Sequence, residues 1–293
     1  MVFVVWLRRV LQCREMNKTD IRAEWEGAAP GWARWDATIA SWMEPATAAM
    51  IAMAGVHAGA RVLDLASGAG SQTLRAAKQV GTHGHVVASD ISDSMLLHVQ
   101  ENARAAALTN VTTLTGAAED LEVAAESFDA VICRLGLMLF MDPSKALRVV
   151  WRALRPGGKV AVVVFTTAAA NPFLAKAMQI LVRHAGKTPP RPGQPGLFSV
   201  GAPGVIERLF TDSGFVNIEQ RTMPVVMRMP SAEQALVLMQ EAVGALRAIV
   251  SDCPETVRVA AWAEVAETLK TFETATGFIG PAEVLIAAGV KPQ

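Results

Sequence analysis

From Arg61 to Phe165, short runs rich in β-branched residues alternate with stretches of helical character, and this alternation limits the possible folds more than any other feature. The candidate strands are Arg61–Ala66, His85–Asp90, Val111–Gly116, Phe128–Arg134 and Lys159–Phe165, and the candidate helices between them are Gly70–Val80, Ser92–Ala106 and Pro143–Leu154. Strand, crossover helix and strand in succession specify an α/β architecture: a mostly parallel sheet with right-handed crossovers and helices on both faces. Pro143 suits the first position of its helix behind a capping Asp142, and Arg155-Pro156-Gly157-Gly158 stops that helix before the fifth strand.

Beyond Phe165 the pattern loosens. A helix is predicted over Pro172–His184, and the Pro/Gly-rich stretch Gly186–Gly204 reads as a long loop of the kind that forms lids. Val205–Ser213 is a further helix ending at Gly214, and Val216–Met229 an extended strand whose Pro224 argues for an edge or a bulge. Leu236, Met239, Val243, Leu246 and Val250 recur every three or four residues, giving one amphipathic helix; Glu255–Phe272 gives a second, and Ala282–Val290 a last strand. The N-terminal stretch Asn17–Ala54 is helical around a predicted break at Pro30-Gly31. Its Trp25, Trp32, Trp35 and Trp42 either pack this stretch on the core or bring Trp32 or Trp35 over a ligand. The expected organisation is a helical extension and cap (1–55), a core (56–230), a helical lid (231–276) and the seventh and last core strand (277–293).

Composition narrows the partners. Lysine plus arginine (27) balances aspartate plus glutamate (27), so no net positive field gathers a polyanion, and nucleic acid is a disfavoured partner. Hydrophobic residues make up 52% of the chain and charged ones 18%, yet no uncharged apolar run approaches the roughly 18 to 20 residues that span a bilayer. The apolar excess calls for a greasy pocket or a homodimer interface. Cys13, Cys133 and Cys253 are odd in number and widely spaced, which implies neither a disulfide framework nor a metal site and fits a reducing, cytoplasmic setting. The apolar opening Met1–Leu7 is cut off at Arg8 and Arg9, too short for a signal peptide. It reads as an extension, with Met16 as an alternative start.

The chemistry concentrates at the first strand. Val62-Leu63-Asp64-Leu65-Ala66-Ser67-Gly68-Ala69-Gly70 is an apolar strand running into a small-residue turn that opens a helix, where a ligand can lie against bare backbone. Dinucleotides use the same shape, but a carboxylate at Asp64 repels a pyrophosphate, whereas it can hold the methionyl ammonium of S-adenosylmethionine. Thr73 occupies the place of the third dinucleotide glycine, a second departure from that fingerprint. Asp90 ends the second strand, where an acidic side chain can accept hydrogen bonds from both ribose hydroxyls.

The segments Asp64–Gly70, Asp90–Leu96, Gly116–Leu121, Ser127–Leu137 and Leu154–Gly158 together resemble the successive motifs of class I S-adenosylmethionine-dependent methyltransferases, closest to the ubiquinone/menaquinone-biosynthesis group. The resemblance covers about Ala60 to Phe165. It implies a Rossmann-like fold with a seven-stranded sheet, S-adenosylmethionine as cofactor and methyl transfer as reaction. By the same resemblance Asp64, Ala66, Ser67, Gly68 and Gly70 hold the methionyl part, Asp90 the ribose, and Ile91 and Met95 flank the adenine. Ala118 and Glu119 lie beside the adenine edge, and Arg134 with Leu135 near the sulfonium. Two positions depart from the family pattern: Ala117 replaces a frequent acidic residue, and Ala66 the first glycine of the turn.

Methyl transfer is an in-line displacement that gains much of its rate from positioning, and needs neither triad nor metal. A base helps an oxygen nucleophile. His184, beside the predicted lid loop, is the single histidine of interest, against the alternative of a surface histidine. The fourth strand is followed by Arg134-Leu-Gly-Leu in place of an Asn-Pro-Pro-Tyr-type motif, which counts against nucleic-acid bases as acceptors. A small, apolar acceptor (a quinol, phenol, lipid-like compound or secondary metabolite) remains. Trp32, Trp35, Met138, Phe140, Phe165, Phe198 and Met223, with Met227 and Met239, are its candidate wall at the carboxyl ends of the strands. The competing reading is a protein that binds S-adenosylmethionine without catalysis.

Overall fold

A computed structural model describes residues 18–188 and 194–293. The apolar opening, Cys13, Met16 and part of the predicted lid loop lie outside the described residues. Eight strands form one sheet: β1 (Arg61–Leu65), β2 (His85–Asp90), β3 (Val111–Thr115), β4 (Phe128–Arg134), β5 (Leu154–Phe165), β6 (Val216–Met229), β7 (Glu273–Thr274) and β8 (Gly277–Val290). Their order is β3-β2-β1-β4-β5-β8-β6, with β7 paired to β8 alone. Neighbours from β3 to β5 are parallel, and β8 runs antiparallel to both β5 and β6. Helices cover both faces, so the central strands read as near-continuous apolar runs such as Val160–Val164.

The strand count exceeds the expected seven because of β7, a two-residue ladder pairing Glu273 and Thr274 with Phe278 and Gly277. Two residues carry no periodicity to detect. Strand β8 also starts earlier than Ala282, with Pro281 inside it. Proline is tolerated there because β5 pairs only Val284–Val290, which leaves Pro281 bonded to β6 on one side and free on the other.

The helices are α1 (Lys18–Met53), α2 (Ser71–Val80), α3 (Asp93–Ala105), α4 (Pro143–Ala153), α5 (Pro172–His184), α6 (Val205–Asp212), α7 (Ala232–Ala242), α8 (Gly244–Val250) and α9 (Glu255–Lys270). Asp142 caps α4, its side chain accepting from Lys145 N at 2.8 Å, with Pro143 in the first turn. The stretch Leu236–Val250 is divided into α7 and α8 at Val243-Gly244, where Gly244 lies against the Trp25 ring. No described helix is long and apolar enough to cross a membrane.

The predicted break at Pro30-Gly31 is absent: α1 runs unbroken with Pro30 and Pro45 inside it. The pair marks a helix crossing instead. A Cβ at Gly31 would lie 2.2 Å from the Glu241 carbonyl oxygen at the end of α7, so only glycine permits this approach. Around it, Arg34 and the Trp35 indole donate to the Glu241 carboxylate at 2.6 and 2.8 Å, and Arg247 donates to the Gly27 carbonyl at 3.2 Å. Helix α1 and the α7–α8 pair are thus clamped together above the carboxyl ends of the strands.

Candidate cofactor and acceptor site

Strand order reverses between β1 and β4, the kind of switch point that opens a crevice at the carboxyl ends of parallel strands. The chain leaves β1 through Ala66, Gly68 and Gly70, all at positive φ (57°, 55° and 96°), and enters α2. Leu135, at the end of β4, is also left-handed at φ 61°. For residues with a Cβ this conformation costs roughly 1 to 2 kcal/mol, and such strain clusters at ligand sites. A Cβ at Gly68 would sit 2.7 Å from Trp32 Nε1, so the turn and α1 face each other across a space a larger residue would fill.

Asp64 is fully buried beneath this turn. Thr73 Oγ1 donates to its Oδ2, and Gln72 Nε2 to its Oδ1 at 3.4 Å. Burial pushes its carboxyl up to about 7 against the pull of Thr73, Gln72 and Arg134. Asp90, one strand over, accepts from Gly68 N and Ser92 N at 3.0 Å each, one bond to each oxygen, and burial raises it to about 6. The Ile91 backbone N–H also favours its ionised form. Glu119 Oε1 accepts from Met141 N (2.8 Å) and Asp142 N (3.3 Å), which fixes the loop after β4.

Above the turn opens a chamber of about 1280 Å³, part of it continuous with solvent. Of the expected cofactor residues, Ala66, Gly68, Asp90, Ile91, Met95, Ala118, Glu119, Arg134 and Leu135 line it, while Asp64, Ser67 and Gly70 lie off its wall. Of the expected acceptor wall, Trp32, Met138, Phe140 and Phe165 line it, as do Met227 and Met239.

Three of the expected acceptor residues do not line the chamber. Trp35 is captured by Glu241 at the helix crossing. Met223 sits four residues before Met227, about 13 Å along an extended strand, and is half-buried beside Val284. Phe198 packs half-buried against the core and is not part of the chamber wall, which its neighbour Leu197 joins. His184 is also outside it: its Nε2 lies 2.8 Å from Glu264 Oε2, at the far end of α5. Phe173, at the near end of that helix, does line the chamber, and 11 residues of helix separate the two by about 16 Å.

The sequence reading missed the wall contributed by Trp25, Ile39, Trp42, Phe173, Leu174, Leu197, Leu238 and Val243. A signal existed in α1, where Trp25, Trp32, Ile39 and Trp42 follow one another at spacings of seven, seven and three. Trp42 stacks at 5.7 Å from Phe165 and 6.0 Å from Phe173, and its indole N–H has no acceptor among the described residues. The chamber is thus lined by four charged side chains, Lys18, Asp90, Glu119 and Arg134, and otherwise mainly by aromatic and aliphatic ones.

This combination of strand order, glycine turn and strand-end aspartate is similar to that of class I, Rossmann-like methyltransferases. Its core is similar to the ubiE/COQ5 methyltransferase family. Residues 42–186 match the model of that family. The ubiquinone/menaquinone biosynthesis C-methyltransferase UbiE of Proteus mirabilis is 38% identical over 145 residues, which are 49% of this chain and 56% of that protein. The match thus spans little more than half the length of that relative. Among solved structures, the YcgJ protein of Bacillus subtilis superposes with a TM-score of 0.58 at 17% identity, over 85% of this chain and 99% of that one. Phosphoethanolamine N-methyltransferase 2 of Haemonchus contortus, solved in complex with S-adenosyl-L-methionine, gives 0.54 at 20% identity over 98% of this chain and 60% of that one.

Proposed function

We propose that this chain is an S-adenosylmethionine-dependent methyltransferase acting on a small, largely apolar acceptor such as a quinol, a phenol or a lipid-like compound. The observation that carries the reading is the single chamber that joins Asp90 and Glu119 at one end to Trp42, Phe165 and Phe173 at the other. The residues fit the cofactor. Asp90 lines the chamber as an acceptor for the ribose hydroxyls, the loop Ala117–Glu119 borders the adenine, and the turn below Trp32 leaves bare backbone for the methionyl chain. Bound there, the cofactor supplies a methyl group on a sulfonium for in-line displacement.

The protein's part is to position, to exclude water and to shape the acceptor's approach. No histidine lines the chamber, and its carboxylates already accept backbone N–H groups. The acceptor therefore arrives as a competent nucleophile, with the Trp42 indole N–H available to an oxygen on it. The cytoplasmic setting, a possible second copy as partner and the lack of a nucleic-acid partner belong to this same proposal.

Incubation with methyl-labelled S-adenosylmethionine and a panel of quinols, phenols and lipid extracts tests it. Label is expected in at least one apolar acceptor. The uncommitted base-free chamber also suits a protein that binds the cofactor without catalysis. Cofactor binding with no acceptor labelled favours that second reading.

A further inference from the structure

Among the described residues β6 forms one edge of the sheet, bonded to β8 and to no other strand. Half of the N–H and C=O groups of such a strand point away from its neighbour, and an edge left open is a template for another strand. The two ends of β6 differ. From Val225 onward alternate side chains are buried, whereas from Val216 to Pro224 none is, and only Ile218 and Met223 are half-buried. Backbone geometry limits the open stretch. Asn217 is left-handed at φ 50°, inside the irregularity of the ladder between Val216 and Glu219, and Pro224 has no N–H to offer. An added strand can therefore pair regularly only between these two points.

Between them stand Glu219 and Arg221, both exposed and without an ion-pair partner among the described residues. Two positions apart on a strand, they share a face. Charges on an edge keep other strands away by repulsion, but one charge of each sign repels in some registers and attracts in another. In an antiparallel pair related by a two-fold axis, residue i lies opposite residue j and j opposite i, and opposed side chains share a face. Pairing centred on Glu219, or on Arg221, sets like charges against each other at the axis. Pairing centred on Gln220 sets Glu219 against Arg221 of the second copy, and Arg221 against Glu219 of that copy. Directly opposed residues stand about 5 Å apart at Cβ, within reach of an ion pair. This register runs from residue 218 to residue 222 and so stays clear of both Asn217 and Pro224.

We propose that β6 is a homodimer interface, in which residues 218–222 pair antiparallel with the same residues of a second copy about a two-fold axis at Gln220, so that two sheets become one. Val216 and Trp151, two of the large exposed hydrophobic side chains, lie at one end of the open stretch, Trp151 Nε1 donating to the Gly214 carbonyl at 3.2 Å. The axis turns that end toward Pro224 of the second copy. The inference concerns assembly and stands apart from the cofactor reading.

Sedimentation equilibrium of the whole chain tests it. The wild type is expected to dimerise, with a dissociation constant that rises with salt because exposed charges contribute. Symmetry makes each substitution act twice, so Glu219→Arg and Arg221→Glu should each weaken the dimer about tenfold or more. The double variant Glu219→Arg/Arg221→Glu restores both opposed pairs and should return to within about threefold of the wild type. Both positions are exposed, and thermal unfolding of each variant checks that it folds. A wild type that stays monomeric, a dimer that neither single reversal weakens, or a double variant as weak as the single ones overturns the assignment. Labelled-methyl transfer is read separately, since its absence with assembly unchanged bears on the cofactor reading alone.

Discussion

Asp64 and Asp90 end neighbouring strands, and burial raises both, to about 7 and about 6. In the unfolded chain both ionise near pH 4. Between pH 4 and pH 7 the native state therefore holds protons that the unfolded state has lost. The stabilisation this gives is complete below about pH 4 and is lost as pH rises through the two folded values, amounting to roughly 3 kcal/mol for Asp90 and roughly 4 kcal/mol for Asp64. The ligand-free protein should thus show a urea midpoint that falls from pH 5 to pH 8, and Asp64→Asn should flatten the fall. A midpoint that rises over this range contradicts the burial of these carboxylates. Asp90 was legible in the sequence because a strand-end acid after a glycine turn has a fixed place in such folds. The meeting of Trp42 with Phe173 was not, because the two are far apart in sequence and only the packing of α1 brings them together.

Among the elements, α1 shows where local signals mislead. Proline and glycine in sequence favour a break, yet the helix is continuous and Gly31 is there for the passage of α7. Gly31→Ala should destabilise the protein by about 1 to 3 kcal/mol, as overpacking does, although alanine is the better helix former by about 1 kcal/mol. Urea unfolding decides between the two signs, and a gain in stability would mean that the crossing is looser than described. The parallel strands β1 to β4 and helices α2 to α5 were readable to within a residue or two because each is a long, periodic or well-capped segment. The ladder β7 was not, because two residues carry no periodicity, nor was the division of α7 from α8, where Gly244 meets the sequence-distant Trp25.

At the scale of the whole molecule, the apolar excess of the composition goes into the core and the chamber wall. Large exposed hydrophobic side chains among the described residues are few and scattered, Leu97, Trp151, Val216 and Val259 among them. The family match ends at residue 186 and starts at 42, so most of α1 and all of α7 to α9 lie outside it. Those elements supply Trp25, Trp32, Leu238 and Met239 to the chamber. Asp90, Glu119, Trp42, Phe165 and Phe173 of the chamber thus fall inside the family match, and Trp25, Trp32, Leu238 and Met239 outside it. The decisive measurement is calorimetric binding of S-adenosylmethionine, S-adenosylhomocysteine and NAD to the wild type and to Asp90→Ala. Both sulfur compounds should bind and NAD should not, and Asp90→Ala should lose roughly 1 to 3 kcal/mol of affinity for them through two missing ribose hydrogen bonds. Binding of NAD without either sulfur compound, or an unchanged affinity in Asp90→Ala, would contradict the assignment of this site.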